Sequence, residues 1–203
     1  MNIFISGWAG FREALGDIPD GWDFICPFID FNEDELLEFL REKSGQTVVG
    51  WSTGGHIILK NLNFFADRFE EIIVVAGFIK FTKYVNSRVL RRMIERMAKM
   101  PEEVVKEFLI RAGCISSFPK FEKAKLIEGL NFLTSSEVVD FPQINSTLLL
   151  VHGSQDKIVP VNALKDLVYA FPFAKSFMLA GAHWIDFKKI LKVRTPGCTR
   201  GSY

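Results

Sequence analysis

The segment Gly50-Trp51-Ser52-Thr53-Gly54-Gly55 sets a serine between glycines, just after the strand-like run Gln46-Thr47-Val48-Val49 and just before the apolar run His56-Ile57-Ile58-Leu59. A G-x-S-x-G at a strand-to-helix junction makes a tight, strained turn that lifts the serine Oγ clear of the backbone. Glycines flank it because side chains there would collide with the neighbouring strand and helix. The helix opening past Ser52 aims free N–H groups and the positive end of its dipole at the same point, which favours developing negative charge. The chemistry this allows is nucleophilic attack by a hydroxyl. An incidental serine in a glycine-rich turn is the alternative, and the partners available to Ser52 separate the two.

A serine hydroxyl needs a base, and the base needs an orienting carboxylate. The chain has three histidines. His56 lies four residues past Ser52 on the elbow helix, directed away from the serine, and reads as a packing or polar residue of that helix. His152 ends the run Thr147-Leu148-Leu149-Leu150-Val151 and reads as a support of the strand end. His183 lies in Ala180-Gly181-Ala182-His183-Trp184, a loop following the strand-like Lys175-Ser176-Phe177-Met178-Leu179. Catalytic groups of open α/β sheets gather at the carboxyl ends of strands, so His183 is the candidate base. The candidate acid is Asp156, the one carboxylate in the turn that leaves the buried run Leu148 to Val151. Aspartate is also common in turns for its own backbone hydrogen bonds.

The chain order Ser52, Asp156, His183, together with the elbow, the turn Gly153-Ser154-Gln155-Asp156-Lys157-Ile158-Val159-Pro160 and the Gly181-Ala182-His183 loop, resembles the α/β-hydrolases over almost the whole chain. The resemblance implies an oxyanion hole. One donor is the N–H of Thr53, next to the nucleophile. The other comes from the loop Ser6-Gly7-Trp8-Ala9-Gly10 after the apolar strand Asn2-Ile3-Phe4-Ile5, with Trp8 as the donor and its ring free to pack in the core. Two such groups contribute on the order of 3 kcal/mol each. Within the superfamily, the Ser6-Gly7-Trp8 opening, the elbow and the segment Leu126 to Asp140 most resemble the carboxylesterases of biotin synthesis, which cleave the methyl ester of pimeloyl-acyl carrier protein. The sequence departs from that pattern at Ser6, where many relatives have histidine. It also opens directly on the oxyanion strand, so the first two strands of the larger fold are expected to be missing.

Composition agrees with one globular domain: 203 residues, 48% apolar and 24% charged, enough for a sizeable core. A net charge of +1 argues against bulk nucleic-acid binding. Cys26, Cys114 and Cys198 are an odd count without metal spacing and read as small apolar fillers or idle thiols. Met1-Asn2-Ile3 enters a strand at once, without a basic segment and long apolar stretch, so a cytoplasmic protein without a membrane segment is expected. The reading requires neither metal nor organic cofactor, and a monomer is expected.

Strand-like runs near 2–6, 22–26, 46–50, 72–76, 147–152 and 175–179 alternate with helical segments such as Asp34 to Lys43 and Gly55 to Phe65. This predicts a mostly parallel sheet of about six strands, covered by helices on both faces. After Ile72 to Ala76 the alternation breaks for about 70 residues. Helical patterns at Ser87 to Met100, Pro101 to Ala112 and Glu122 to Phe132 predict a cap inserted over the active-site edge, spanning 77–146 between core segments 1–76 and 147–193. Residues 194–203 lack periodicity and are expected to be a loose tail.

Arg88, Arg91, Arg92, Arg96 and Lys99 recur at spacings of three to four, interrupted by Glu95, so several share a helix face. Such a face is ordinarily solvated surface. The sharper reading is a dock for an acidic acyl carrier protein, because arginines pair well with carboxylates and phosphate. Phe78, Phe81, Phe118, Phe121, Phe132 and Phe141 are candidates to line an acyl channel, against the commoner role of aromatic core. The activity expected is that of a serine carboxylesterase acting on pimeloyl-acyl carrier protein methyl ester. A broad-specificity esterase on small acyl esters is the alternative, and a non-catalytic binding protein is disfavoured because all three catalytic positions are filled.

Overall fold

A computed structural model describes residues 1–194. Cys198 and the expected loose tail from Thr195 onward lie outside the described residues. Six strands form the sheet: β1 (Asn2–Ile5), β2 (Trp22–Ile25), β3 (Gly45–Trp51), β4 (Phe69–Val75), β5 (Thr147–Gly153) and β6 (Lys175–Leu179). The helices are α1 (Arg12–Leu15), α2 (Glu33–Leu40), α3 (Thr53–Lys60), α4 (Leu62–Ala66), α5 (Ser87–Lys99), α6 (Pro101–Ala112), α7 (Lys123–Ser135), α8 (Asn162–Ala170) and α9 (Phe187–Lys192), with a 3-10 turn at Phe81–Lys83.

The strands are all parallel, in the order β2-β1-β3-β4-β5-β6. Every carboxyl end therefore opens on one edge. The order turns back between β1 and β3, whose following chains depart in opposite directions and leave a crevice between them. Ile5 pairs with Gly50 at the last register position before both strands end. The loop after β1 and the turn after β3 are thus neighbours.

Strands covered on both faces read as continuous apolar runs because alternate side chains feed two cores. Ile3, Ile5, Val48, Ile72, Val74, Leu148 and Leu150 pack with α2, α3 and α8 on one side. Phe4, Val49, Trp51, Ile73, Val75, Leu149 and Val151 pack with Trp184 and α9 on the other. A third cluster joins Leu90, Met97, Val104, Leu109, Leu126 and Leu130 of the helices between β4 and β5 to Trp8 and Phe11. Asn86 starts α5 by accepting the Arg88 N–H at 2.9 Å, Pro101 opens α6, and Gly113 ends it at φ 83°.

The helix expected over Gly55 to Phe65 is broken into α3 and α4 at Asn61, which sits at φ −117°, ψ 38°. The Asn61 amide donates to Ile57 O at 3.0 Å and to Glu33 Oε1 at 2.8 Å, so a side chain competes with the helix for its own carbonyl. Strand β4 begins at Phe69, earlier than its apolar core, because its ladder with β3 opens at Gly45 opposite Phe69; Glu71, opposite Thr47, finds partners in Thr47 and Arg194.

Candidate active site

Ser52 stands at the end of β3 with φ 52° and ψ −112°, a conformation an L residue adopts at a cost of about 1–3 kcal/mol. The strain is held from both sides: the Ser52 N–H donates to Val75 O at 2.8 Å and its carbonyl accepts from the His56 N–H at 2.9 Å. The elbow glycines have steric reasons. A Cβ on Gly54 would run into the Ile5 and Ser6 carbonyl oxygens, and one on Gly50 would lie 2.8 Å from Gly54 backbone. Glycine at both places lets α3 start against the sheet.

His183 arrives from the loop after β6 and Asp156 from the turn after β5. Gln155 N–H donates to Gly181 O and Ser154 N–H to Leu179 O, each at 2.9 Å, which stitches the two loops together. Ser52 Oγ lies 2.8 Å from His183 Nε2, and His183 Nδ1 lies 2.7 Å from Asp156 Oδ2. The carboxylate can only accept, so Nδ1 carries the proton and Nε2 is left to accept from Ser52. Asp156 Oδ1 accepts the Ile158 and Val159 N–H groups at 2.8 and 2.9 Å. Burial alone would raise the Asp156 pKa, but neighbouring His183 and these hydrogen bonds outweigh burial and hold the carboxyl below its ordinary value.

Among residues the sequence reading passed over, Trp51 is the most informative. Its indole N–H donates to His183 O at 2.8 Å and its ring lies 5.4 Å from the imidazole, so the residue before the serine also seats the histidine. Its place between Gly50 and Ser52 was the available signal. His152, read as a support of the strand end, braces the turn that follows: Nε2 donates to Val159 O at 3.0 Å, and it sits 3.5 Å from Asp156 Oδ2. Burial favours its neutral form. His56 belongs to the core, held by Phe78 O at 2.9 Å and Ser136 Oγ at 2.8 Å, and burial lowers its pKa to about 4.

The loop Ser6 to Gly10 lies against the serine: a Cβ on Gly7 would be 3.1 Å from Ser52 Cβ. Neither the Trp8 nor the Thr53 backbone N–H has an acceptor among the described residues. The Trp8 ring is buried, donates to Leu126 O at 2.8 Å and meets Phe108 edge-on at 4.9 Å. A cavity of about 680 Å³ opens from Ser52 and Thr53 between the core and α5, α6 and α7. Its walls are chiefly apolar, with Phe81, Leu90, Met93, Phe108 and Leu133 among them.

Of the aromatic residues expected in a channel, only Phe81 reaches this cavity. Phe78 stacks on His56 at 4.8 Å, Phe118 and Phe121 lie against Phe11 at 6.3 and 5.7 Å, Phe132 meets Phe28 and Phe141 meets Phe171. Their directions depend on how the inserted helices and coils dock, which residue type does not encode. Arg88, Arg91, Arg92 and Lys99 are exposed on α5, and Arg92 lines the cavity. Arg96 also lines it, but both its terminal nitrogens are engaged by Glu107 of α6 at 2.7 Å, so its charge is already partnered. The structure adds Arg111 and Lys157 to the cavity wall, where the Arg111 guanidinium donates to Lys157 O at 3.0 Å.

Among the described residues no group of three or more His, Cys, Asp or Glu is gathered to hold a metal ion, and no helix is long and apolar enough to cross a membrane. Cys26 and Cys114 are free thiols; burial raises both, Cys114 to about 12.

No protein-family model matches the chain. It is 22% identical over 205 residues to the pimeloyl-[acyl-carrier protein] methyl ester esterase of Vibrio atlanticus (strain LGP32), covering 88% of this chain and 79% of that protein. Among solved structures it superposes on the enol-lactonase of Burkholderia xenovorans LB400 with a TM-score of 0.71 at 11% identity, covering 95% of this chain and 87% of that one. An esterase of Exiguobacterium antarcticum gives 0.68 at 14% identity, covering 95% and 88%. With its parallel sheet order and the elbow at the end of β3, the chain has the α/β-hydrolase fold.

Proposed function

We propose that the chain is a serine carboxylesterase working through an acyl-enzyme, with the methyl ester of a pimeloyl group on acyl carrier protein as its substrate. The observation that carries the esterase reading is the hydrogen-bonded series Ser52 Oγ, His183 Nε2, His183 Nδ1, Asp156 Oδ2 at the mouth of an apolar cavity. Ser52 Oγ attacks the ester carbonyl carbon while His183 Nε2 takes its proton, and the carbonyl electron pair moves onto oxygen. The N–H groups of Trp8 and Thr53 receive that oxyanion. Collapse expels the alkoxide, which takes the proton from His183 and leaves as the alcohol. Water then attacks the acyl-enzyme with His183 again as base, releasing the acid and free Ser52. Asp156 holds the tautomer and stabilises the imidazolium.

Residues 77–146 act in this reading as the cap that shields the acyl chain, over a core of 1–76 and 147–193. The carrier-bound substrate is supported by the relative from Vibrio and by the exposed cations Arg88, Arg91, Arg92 and Lys99 on α5. An acidic carrier docked there would deliver its acyl group into the cavity past Arg92. Two measurements test the proposal. A fluorophosphonate probe should label the wild type at Ser52, and absence of labelling would leave a non-catalytic binding protein. Hydrolysis of the carrier-bound methyl ester should exceed that of free methyl pimelate by at least about tenfold in kcat/KM. Equal rates would reduce the proposal to a broad-specificity esterase.

A further inference from the structure

The reaction above needs two N–H groups, on segments 45 residues apart in sequence, held at one fixed separation. We propose that Ser6 is the positioning residue that fixes them, an inference resting on the serine-esterase reading. Ser6 is fully buried and each of its polar groups is committed to a different part of the site. Its N–H donates to Ile25 O at 2.8 Å, anchoring it to β2. Its carbonyl accepts the Gly54 N–H at 3.0 Å, in the first turn of α3 beside Thr53. Its hydroxyl donates to Gly10 O at 2.5 Å, closing the loop that carries Trp8.

One residue thus ties the helix bearing one donor to the loop bearing the other. The loop needs such a tie. Ala9 sits at φ 51°, a conformation that alanine adopts only under constraint, and the Gly10 N–H turns back to Gly7 O at 3.0 Å. A Cβ on Gly10 would strike Ser6 Oγ, so glycine there leaves room for the hydroxyl. Without the hydroxyl, Gly10 O loses its side-chain donor in a buried place and the loop gains freedom to move Trp8 N–H. A displacement of a fraction of an ångström weakens a hydrogen bond to the oxyanion while leaving the apolar cavity, and hence ground-state binding, as it was.

The test uses a trifluoromethyl ketone of an acyl chain that fits the cavity. Ser52 Oγ adds to its carbonyl carbon, the carbonyl pair becomes an oxyanion and the serine proton passes to His183, with no leaving group. Ser6→Ala should lower affinity for this ketone and kcat on p-nitrophenyl butyrate by the same factor, on the order of 10 to 100, with KM and binding of the non-fluorinated ketone within about twofold. Ser6→Cys, of similar size but a weaker donor, should fall between Ala and the wild type. It also carries the comparison if Ser6→Ala does not fold. Ketone affinity unchanged in the variants, or a loss confined to KM, would overturn the positioning role. A wild type that fluorophosphonate does not label at Ser52 would instead overturn the esterase reading itself, so the two failures are distinguishable.

Discussion

At the scale of single residues, the site depends on Ser52 being held where serine is not at ease. Its left-handed φ presents Oγ to His183, and the hydrogen bonds from Ser52 N–H to Val75 and from His56 N–H to Ser52 O keep it there. Ser52→Ala should abolish ester hydrolysis in a protein with unchanged circular dichroism, and His183→Ala should come close to the same result. Asp156→Asn should retain more, losing about a thousandfold or more in kcat, because it misplaces the imidazole proton without removing the base. Purified Ser52→Ala protein that still hydrolyses p-nitrophenyl butyrate at near wild-type rate would refute the assignment.

At the scale of elements, His56 joins the elbow helix α3 to the chain after β4 at Phe78 and to the end of α7 at Ser136. Burial lowers its pKa from 6.5 to about 4, so between those values the unfolded chain binds a proton that the folded one refuses. The contribution of His56 to stability is therefore complete above about pH 6.5 and is lost as the pH drops toward 4, by up to about 3 kcal/mol. A neutral His56→Gln variant should start less stable but show a shallower decline of Tm between pH 6.5 and 4. Parallel Tm curves for the two proteins would show that His56 does not set this slope.

Helix α5 carries a second prediction. Reversing charge at Arg88, Arg91 and Lys99, which unlike Arg92 lie outside the cavity wall, should raise KM for the carrier-bound ester by about tenfold or more and flatten its salt dependence, since exposed charges act on encounter and are screened beyond about 10 Å at 0.1 M salt. Arg96 is left in place because Glu107 already holds it. Rates on p-nitrophenyl butyrate should stay within about twofold. Equal losses on both substrates would mean disturbed packing of α5, and no loss on either would make the face plain solvated surface.

For the whole molecule, the inserted helices matter because they convert an open sheet edge into a cavity. The Trp184 N–H donates to Ala112 O at 2.8 Å, joining the histidine loop to the end of α6. Met93, half-buried in the cavity wall on α5, is placed to test the acyl path. Met93→Trp should reduce kcat/KM for octanoyl and longer esters by about tenfold or more while acetyl and butyryl esters stay within about twofold, because lost apolar space is felt methylene by methylene. An unchanged chain-length profile would place the acyl chain elsewhere.

Strand positions, the elbow and the grouping of Ser52, Asp156 and His183 at one sheet edge were legible from local sequence. Apolar runs, glycine spacing and chain order are short-range signals, and a parallel sheet sends every strand end to the same side. The break at Asn61 was not legible, because it depends on Glu33, distant in the chain, accepting the same amide. Nor was the pairing that takes Arg96 out of the basic face, which exists only once α5 and α6 lie side by side. The aromatic residues of the insertion show the limit most clearly: Phe78 and Phe81, three apart, end in the core and in the cavity wall. Residue type determined that these side chains would be covered, and only the docking of α5, α6 and α7 against the core decided by what, since burial is a matter of area and position a matter of packing.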